Sequence, residues 1–323
     1  MVDLTNCDRH PARSAVTVRL ASPRGFCAGV ERAVRTVEDA LALFGAPVFV
    51  RHEIVHNVHV IRRLRAMGAV FVEDLADVDL GRPVILSAHG APRSVHGAAK
   101  SRKLLAIDAT CPLVLKVHHE VRRHIAAGRH VILIGHHGHP EVVGTMGQAP
   151  PDAVTLIETE AEAATVDIPR RPLAYATQTT LSIDETASTV AMLQHRFPGI
   201  VGPRTSDICY ATQNRQEAVK KISPGADCVL VVGSAHSSNS RRLVETALSS
   251  GAAAAHLVED PRSFDLSVAG KATIIGVTSG ASAPEDLVET LLARIAELGP
   301  IVIETVDHVQ EDVIFKPPMM KAG

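Results

Sequence analysis

The sequence predicts an α/β protein of three pseudo-repeated lobes, each built on a mostly parallel sheet. Three observations carry this. Short continuous apolar runs recur, each ending in small polar residues. Amphipathic helical patterns alternate with those runs. Three cysteines (Cys27, Cys111 and Cys209) each open one of the helices at comparable spacing along the chain. Uninterrupted apolar runs suit strands buried on both faces, as in parallel sheets, and their alternation with helices argues an α/β class.

Residues 1–15 mix both charges without an apolar core and read as a disordered tail, not as a secretory signal. The first lobe is expected over 16–110. There Cys27 opens a helix in which Val30, Ala33, Val34, Val37, Leu41 and Phe44 share one face, closed by Gly45 and Pro47. Later in that lobe Val84-Ile85-Leu86 runs into Ser87-Ala88-His89-Gly90. The second lobe is expected over 111–208. Cys111-Pro112 opens a helix with Val114, Val117, Val121 and Ile125 on one face, and Pro112 suits the first helical turn. Val131–Ile134 runs into Gly135-His136-His137-Gly138-His139-Pro140-Glu141, and Leu173–Ala176 into Thr177-Gln178-Thr179-Thr180. The third lobe is expected over 209–300, from the Cys209 helix through two further runs, Val229–Val232 and Ile274–Val277. Residues 301–323 are expected to be a C-terminal tail packing back on the body.

Composition narrows the function. The chain of 323 residues balances 33 Lys+Arg against 35 Asp+Glu and carries only 3% aromatic residues. It lacks the basic excess and the stacking rings of a general nucleic-acid binder. No apolar run approaches the ~20 residues of a membrane span, so a cytoplasmic location is expected, where thiols stay reduced. Five cysteines are an odd number for a disulfide framework and contain no CxxC pair.

The chemistry sits where the apolar runs end. A helix N-terminus favours thiolate over thiol, so Cys27, Cys111 and Cys209 either fill cores as small hydrophobes or converge on a metal centre. Three thiolates are one short of the usual four ligands of an iron–sulfur cubane, and the missing one leaves an iron open as a Lewis acid. Cys228 lies inside a strand and reads as core; Cys7 lies in the tail and reads as incidental.

Histidine is abundant, 17 residues in all. His118, His119 and His124, on a helix, are expected at the surface. His56, His89 and His139 sit at element junctions and suit donors to an anion. A zinc site from His136, His137 and His139 fits no common ligand spacing. Ser237, Ser238, Asn239, Ser282 and Thr179 each follow a predicted strand, and either cap helices or bind an anion with the helix N-termini. Glu141, at a strand exit after His139-Pro140, suits a general acid delivering a proton to a leaving hydroxyl. There is no GxGxxG and no GxxxxGK[ST] to support a nucleotide site.

Longer motifs then converge. They include Pro23-Arg24-Gly25-Phe26-Cys27-Ala28-Gly29-Val30, His52-Glu53-Ile54-Val55-His56-Asn57, Ser87-Ala88-His89-Gly90 and Asp108-Ala109-Thr110-Cys111-Pro112. Further along come Gly138-His139-Pro140-Glu141, Gln178-Thr179-Thr180, Asp207-Ile208-Cys209-Tyr210-Ala211-Thr212, Ser237-Ser238-Asn239-Ser240 and Gly280-Ala281-Ser282-Ala283-Pro284. Together, from about Val18 to Pro318, they resemble the LytB/IspH family of 4-hydroxy-3-methylbut-2-enyl diphosphate reductases, which act last in the methylerythritol phosphate route to isoprenoids.

The resemblance implies three α/β lobes around one central [4Fe–4S] cluster. Cys27, Cys111 and Cys209 would be its ligands, and an open fourth iron would take the substrate hydroxyl. It implies that His56, His89, His139, Thr179, Ser237, Ser238, Asn239 and Ser282 bind the diphosphate substrate. Glu141, Thr179 and His139 would serve catalysis. The family reaction takes two electrons and two protons, expels water, and gives isopentenyl and dimethylallyl diphosphates. Electrons would arrive from a ferredoxin or flavodoxin.

The chain departs from the family pattern at His137, where a small residue is expected, at His236, where a side-chain amide is expected, and in its extended N-terminal tail. A cluster-based sensor would use the same cysteines without needing Glu141 or the anion pocket. A histidine–zinc hydrolase would ignore Cys27.

Overall fold

The computed structural model describes residues 15–320. Cys7 and nearly all of the expected tail 1–15 lie outside the described residues.

The chain runs β1 (Val16–Ser22), α1 (Ala28–Phe44), β2 (Val48–Arg51), α2 (Val58–Ala66), β3 (Ala69–Val72), β4 (Pro83–Leu86), α3 (Arg93–Ser101) and β5 (Leu105–Asp108). It continues through α4 (Pro112–Ala126), β6 (His130–Ile134), α5 (Pro140–Met146), β7 (Val154–Ile157), α6 (Glu160–Thr165), β8 (Leu173–Thr177) and α7 (Ile183–Arg196). The last third holds α8 (Tyr210–Ile222), β9 (Cys228–Val232), α9 (Ser238–Ser249), β10 (Ala255–Val258), β11 (Ile274–Ser279), α10 (Glu285–Ala296) and β12 (Ile301–Asp307).

These strands form three sheets, ordered β3-β2-β4-β5, β7-β6-β8 and β10-β9-β11-β1-β12. Every named strand pair is parallel. The continuous apolar runs therefore mean what parallel packing requires. In β9, Cys228, Leu230 and Val232 enter one core while Val229 and Val231 enter the core on the opposite face. In β6, Ile132 and Ile134 face one core, and Val131 and Leu133 the other. Cys228 is core, as its strand position predicts.

The lobe boundaries differ from the sequence reading at both ends. β1 is not part of the first lobe. It lies between β11 and β12 in the third sheet, with Val16 opposite Ile301 and Ser22 opposite Asp307. The start of the expected tail, Ile301–Asp307, is thus the edge strand of the third sheet. Strand partners so distant in sequence are chosen by tertiary packing, and no local pattern specifies them.

Helix ends follow their local chemistry. α1 stops at Gly45, whose φ of 69° lies in the left-handed region that glycine adopts without penalty. Pro112 stands in the first turn of α4, where its missing N–H costs no helical bond. Two surface expectations on α4 are corrected: only His119 is exposed, whereas His118 and His124 are buried. Both fall on the stripe of Val114, Val117 and Val121 that packs inward, and the His118 ring lies against the backbone of Gly90. Burial, with the nearby Arg122 charge, pushes the His118 imidazole down to about 4, so it packs as a neutral ring.

Candidate active site

The site residues leave the carboxyl ends of the strands, where open parallel sheets place their ligands. Cys27 follows β1, His56 follows β2, His89 follows β4 and Cys111 follows β5. His139 and Glu141 follow β6, Thr179 follows β8, Ser237–Asn239 follow β9 and Ser282 follows β11. Cys209 caps α8. One cavity is lined by all of these side chains.

The three cysteines are the N-cap residues of α1, α4 and α8. Each backbone N–H reaches across to a loop of the cavity. Cys27 N donates to Ala281 O at 3.2 Å, Cys111 N to Ala88 O at 3.0 Å, and Cys209 N to Thr179 O at 2.9 Å. Those acceptors are Thr179 itself and the residues just before Ser282 and His89. The thiol positions and the polar pocket are therefore built as one unit.

The expectation of easy ionisation is corrected for the bare thiols. Burial first, then the charge of Cys27, pushes Cys111 up to about 12. Burial and Cys27 likewise push Cys209 up to about 11, against the hydrogen bonds from Thr212. Desolvation outweighs the helix N-terminus here. Thiols such as Cys111 and Cys209 become thiolates when a cation takes them, since metal coordination releases their protons.

Their spacing also constrains what they hold. A side chain at Gly29 would put its Cβ 2.7 Å from Cys111 Sγ and 3.8 Å from Cys27 Sγ, so glycine keeps the space between the two sulfurs open. Among the described residues, no group of three or more His, Cys, Asp or Glu gathers around a point suited to a single metal ion. The open space that Gly29 keeps between the Cys27 and Cys111 sulfurs leaves room for a polynuclear centre, in which each cysteine would take its own iron.

Beside the cysteines, three imidazoles pack together. The rings of His56 and His89 stack with centroids 4.2 Å apart, and His139 stands edge-on to both, at 5.5 and 5.8 Å. Burial and the neighbouring imidazoles hold His89 well below the usual histidine range. Burial and His56 bring His139 down to about 3. His139 Nδ1 accepts the Glu141 N–H at 3.2 Å, so its ring proton sits on Nε2 as a donor. His56 Nδ1 pairs with Glu53 at 3.2 Å, which leaves Nε2 buried without a partner among the described residues.

On the same cavity, Ser237 caps α9 and accepts from Asn239 Nδ2 at 2.9 Å. Asn239 Oδ1 accepts the Ala281 N–H at 3.0 Å, which fixes the amide with its remaining N–H unclaimed. Ser238 Oγ donates to Thr180 O, and Ser282 Oγ donates to His56 O. With Ser238 and Ser282 donating to those carbonyls, Ser237 Oγ and the Asn239 amide are the neutral donors left at the N-terminus of α9, a geometry able to take an anion, and no lysine or arginine lines the cavity among the described residues.

Glu141 is 2% exposed. Both of its oxygens accept from Thr179, Oε1 from the backbone N–H at 2.7 Å and Oε2 from Oγ1 at 2.9 Å. Burial raises its carboxyl to about 7, against those two hydrogen bonds and with help from Asp207. A carboxyl in that range is about half protonated at neutral pH, so it can both carry a proton and give it up.

A family model described as LytB protein matches residues 18–296. The chain belongs to the LytB family. Relatives named 4-hydroxy-3-methylbut-2-enyl diphosphate reductase include one from Phenylobacterium zucineum, 56% identical, covering 97% of this chain and all of that one. One from Hyphomonas neptunium is 55% identical over 95% and 98%. Among solved structures, the E-1-hydroxy-2-methyl-but-2-enyl-4-diphosphate reductase of Plasmodium falciparum superposes with a TM-score of 0.90. It is 39% identical, and the match covers 94% of this chain and 96% of that one. The α/β architecture of three parallel sheets is thus the architecture of a solved relative.

In this LytB chain the zinc alternative finds no geometry. His136 is held by Glu158 and Arg242, and His137 is exposed, its backbone N–H donating to Glu158. His236, the other departure, lies outside the cavity lining. Sequence reasoning missed Thr212 and Phe315. The Thr212 N–H donates to Cys209 Sγ at 3.3 Å, and its hydroxyl lies 3.1 Å from that sulfur. Its position three residues after the cap is the signal that was available. Phe315 lines the cavity from the C-terminal segment, and no local pattern announces it.

Proposed function

We propose that this LytB chain is an oxidoreductase that removes the allylic hydroxyl of 4-hydroxy-3-methylbut-2-enyl diphosphate. Two electrons and two protons enter, the C–O bond breaks, water leaves, and isopentenyl and dimethylallyl diphosphates form. One observation supports the reading: a single cavity joins three half-buried helix-capping cysteines to a protonatable glutamate and a set of neutral hydrogen-bond donors. A cluster sensor has no use for the last two.

Cys27, Cys111 and Cys209 would hold one [4Fe–4S] centre. When bound, such a centre supplies electron storage and, at the iron without a cysteine, Lewis-acid character. The chain's own groups do the rest. His56, His89, His139, Ser237, Ser238, Asn239 and Ser282 hold the diphosphate, which fixes the orientation of the allylic end. Because burial and crowding keep His89 and His139 neutral, they act as hydrogen-bond donors and leave the site ready to take the anion's charge. Glu141 delivers a proton to the leaving oxygen, and Thr179 aligns both carboxyl oxygens. Electrons come from outside the chain, from a ferredoxin or flavodoxin.

The test is anaerobic turnover with dithionite and a viologen, followed by product analysis. Both five-carbon diphosphates are expected, and substrate left intact by iron-replete protein would contradict the reading. The anion pocket has its own test. Asn239→Ala removes a donor to a charged group, worth about 1.5–3 kcal/mol. Diphosphate binding by titration should weaken by roughly tenfold or more, with iron content unchanged. Unaltered affinity would remove Asn239 from the pocket.

A further inference from the structure

Two arginines, Arg215 buried and Arg32 half-buried, hydrogen-bond the backbone next to the cysteines, and neither belongs to the chemistry described above. Arg215, on α8, is 1% exposed. Its Nη2 donates to Gly25 O at 2.8 Å, with Phe26 O also in reach, and these two residues immediately precede Cys27. Its Nη1 donates to Ala211 O at 3.0 Å, two residues after Cys209. Arg32, on α1, places Nη1 on Ala109 O at 3.0 Å and Thr110 O at 3.1 Å, the two residues before Cys111. Between them, two guanidinium groups grip the backbone beside all three cysteines.

Both arginines are completed by one segment, the stretch after β12. Glu311 takes Arg215 Nη1 on Oε1 at 3.0 Å and Nη2 on Oε2 at 3.3 Å, and also accepts from Asn214. Lys316 O accepts Arg32 Nε at 2.8 Å. The segment is anchored at both ends. The His308 N–H donates to Ser22 O, and Met320 packs on the core of the first lobe. Between the anchors, Phe315 reaches the cavity. A buried guanidinium needs its counter-charge, because removing one partner leaves an uncompensated charge inside. Groups that orient a ligand-bearing backbone govern how tightly a metal centre is kept.

We propose that residues 308–320 form a clasp that, through Arg215 and Arg32, holds the three cysteine segments in register and sets how long the chain retains its iron–sulfur centre. This rests on the reading that Cys27, Cys111 and Cys209 carry such a centre. The arginines and Glu311 are positioning residues, since they meet the cysteines' backbone neighbours and not the reacting groups.

The experiment uses anaerobically purified holoprotein mixed with an excess of an iron chelator. Loss of visible absorbance gives the rate of iron release, and circular dichroism follows the fold in parallel. Glu311→Gln and a chain ending at Asp307 are expected to release iron about 10–100-fold faster, the scale found when supporting groups of a metal site are removed. Helical content should be unchanged at the start. Ile314→Ser, in the same segment but 89% exposed, should release iron at the wild-type rate. Equal release from wild-type and Glu311→Gln would overturn the clasp, whatever the truncated chain does. So would loss of helical content in Glu311→Gln before its iron leaves, because the ion pair would then be holding the fold. Wild-type protein with no iron–sulfur chromophore would instead overturn the underlying assignment of the cysteines.

Discussion

Cys111→Ser should abolish turnover and strip the chain of most of its iron, and Cys27→Ser and Cys209→Ser should do the same. Serine keeps the size and the N-cap position of the side chain, so the helices and the N–H bonds to Ala88, Ala281 and Thr179 should persist. What is lost is a soft thiolate ligand. Cys228→Ala should keep iron and activity, because that residue only fills the core beside Leu230 and Val232. Cys7→Ser should be equally silent. Iron and sulfide assays with far-UV circular dichroism check the set. Iron loss from Cys228→Ala matching that from Cys111→Ser, at equal folding, would overturn the ligand assignment.

The second large effect is expected at Glu141. Glu141→Gln preserves shape and can still meet Thr179, but it has no proton to give. Turnover should fall by about 10²–10⁴, the usual scale for a lost general acid, with substrate and iron still bound. Glu141→Asp should fall between, since its carboxyl is one methylene short of the position held by Thr179 N and Oγ1. The pH dependence has a definite sign. The carboxyl is raised by burial to about 7, and the acid form does the work. Wild-type turnover should therefore decline as pH rises through about 7, and Glu141→Gln should lose that limb. Steady-state rates with dithionite and viologen across pH, beside a binding titration, measure both. Near-wild-type turnover by Glu141→Gln would remove the acid role and direct attention to Thr179.

The contrast between what the sequence disclosed and what it withheld follows the range of the interactions. Parallel strands announced themselves because β6, β8, β9 and β11 are apolar runs buried on both faces. The Cys27 and Cys111 helices were legible from stripes three and four residues apart and from Gly45 and Pro112. The loop residues were legible because each follows a strand end, and the structure places all of them on one cavity. Partnerships between distant segments were not. β1 looks like the first strand of the first lobe, yet it pairs with β11 and β12, because sheet neighbours are selected by packing across the whole chain. His118 and His124 looked like surface residues by type, although their positions continue the buried stripe of α4. There the helical period was the better guide, and polarity misled. Helix position favours thiolates, while burial sets the opposite direction for Cys111 and Cys209 in the bare protein. The clasp of Glu311 on Arg215 spans nearly a hundred residues and has no periodic signature.

The central claim is that Cys27, Cys111 and Cys209 carry a redox centre at a diphosphate-binding cavity. The most direct test is iron and acid-labile sulfide per chain in anaerobically purified wild-type protein, with its visible spectrum recorded before and after dithionite. The account predicts brown protein with about four irons and four sulfides per chain, as one cubane requires, and bleaching on reduction. Colourless, iron-free protein that still converts the substrate would contradict it.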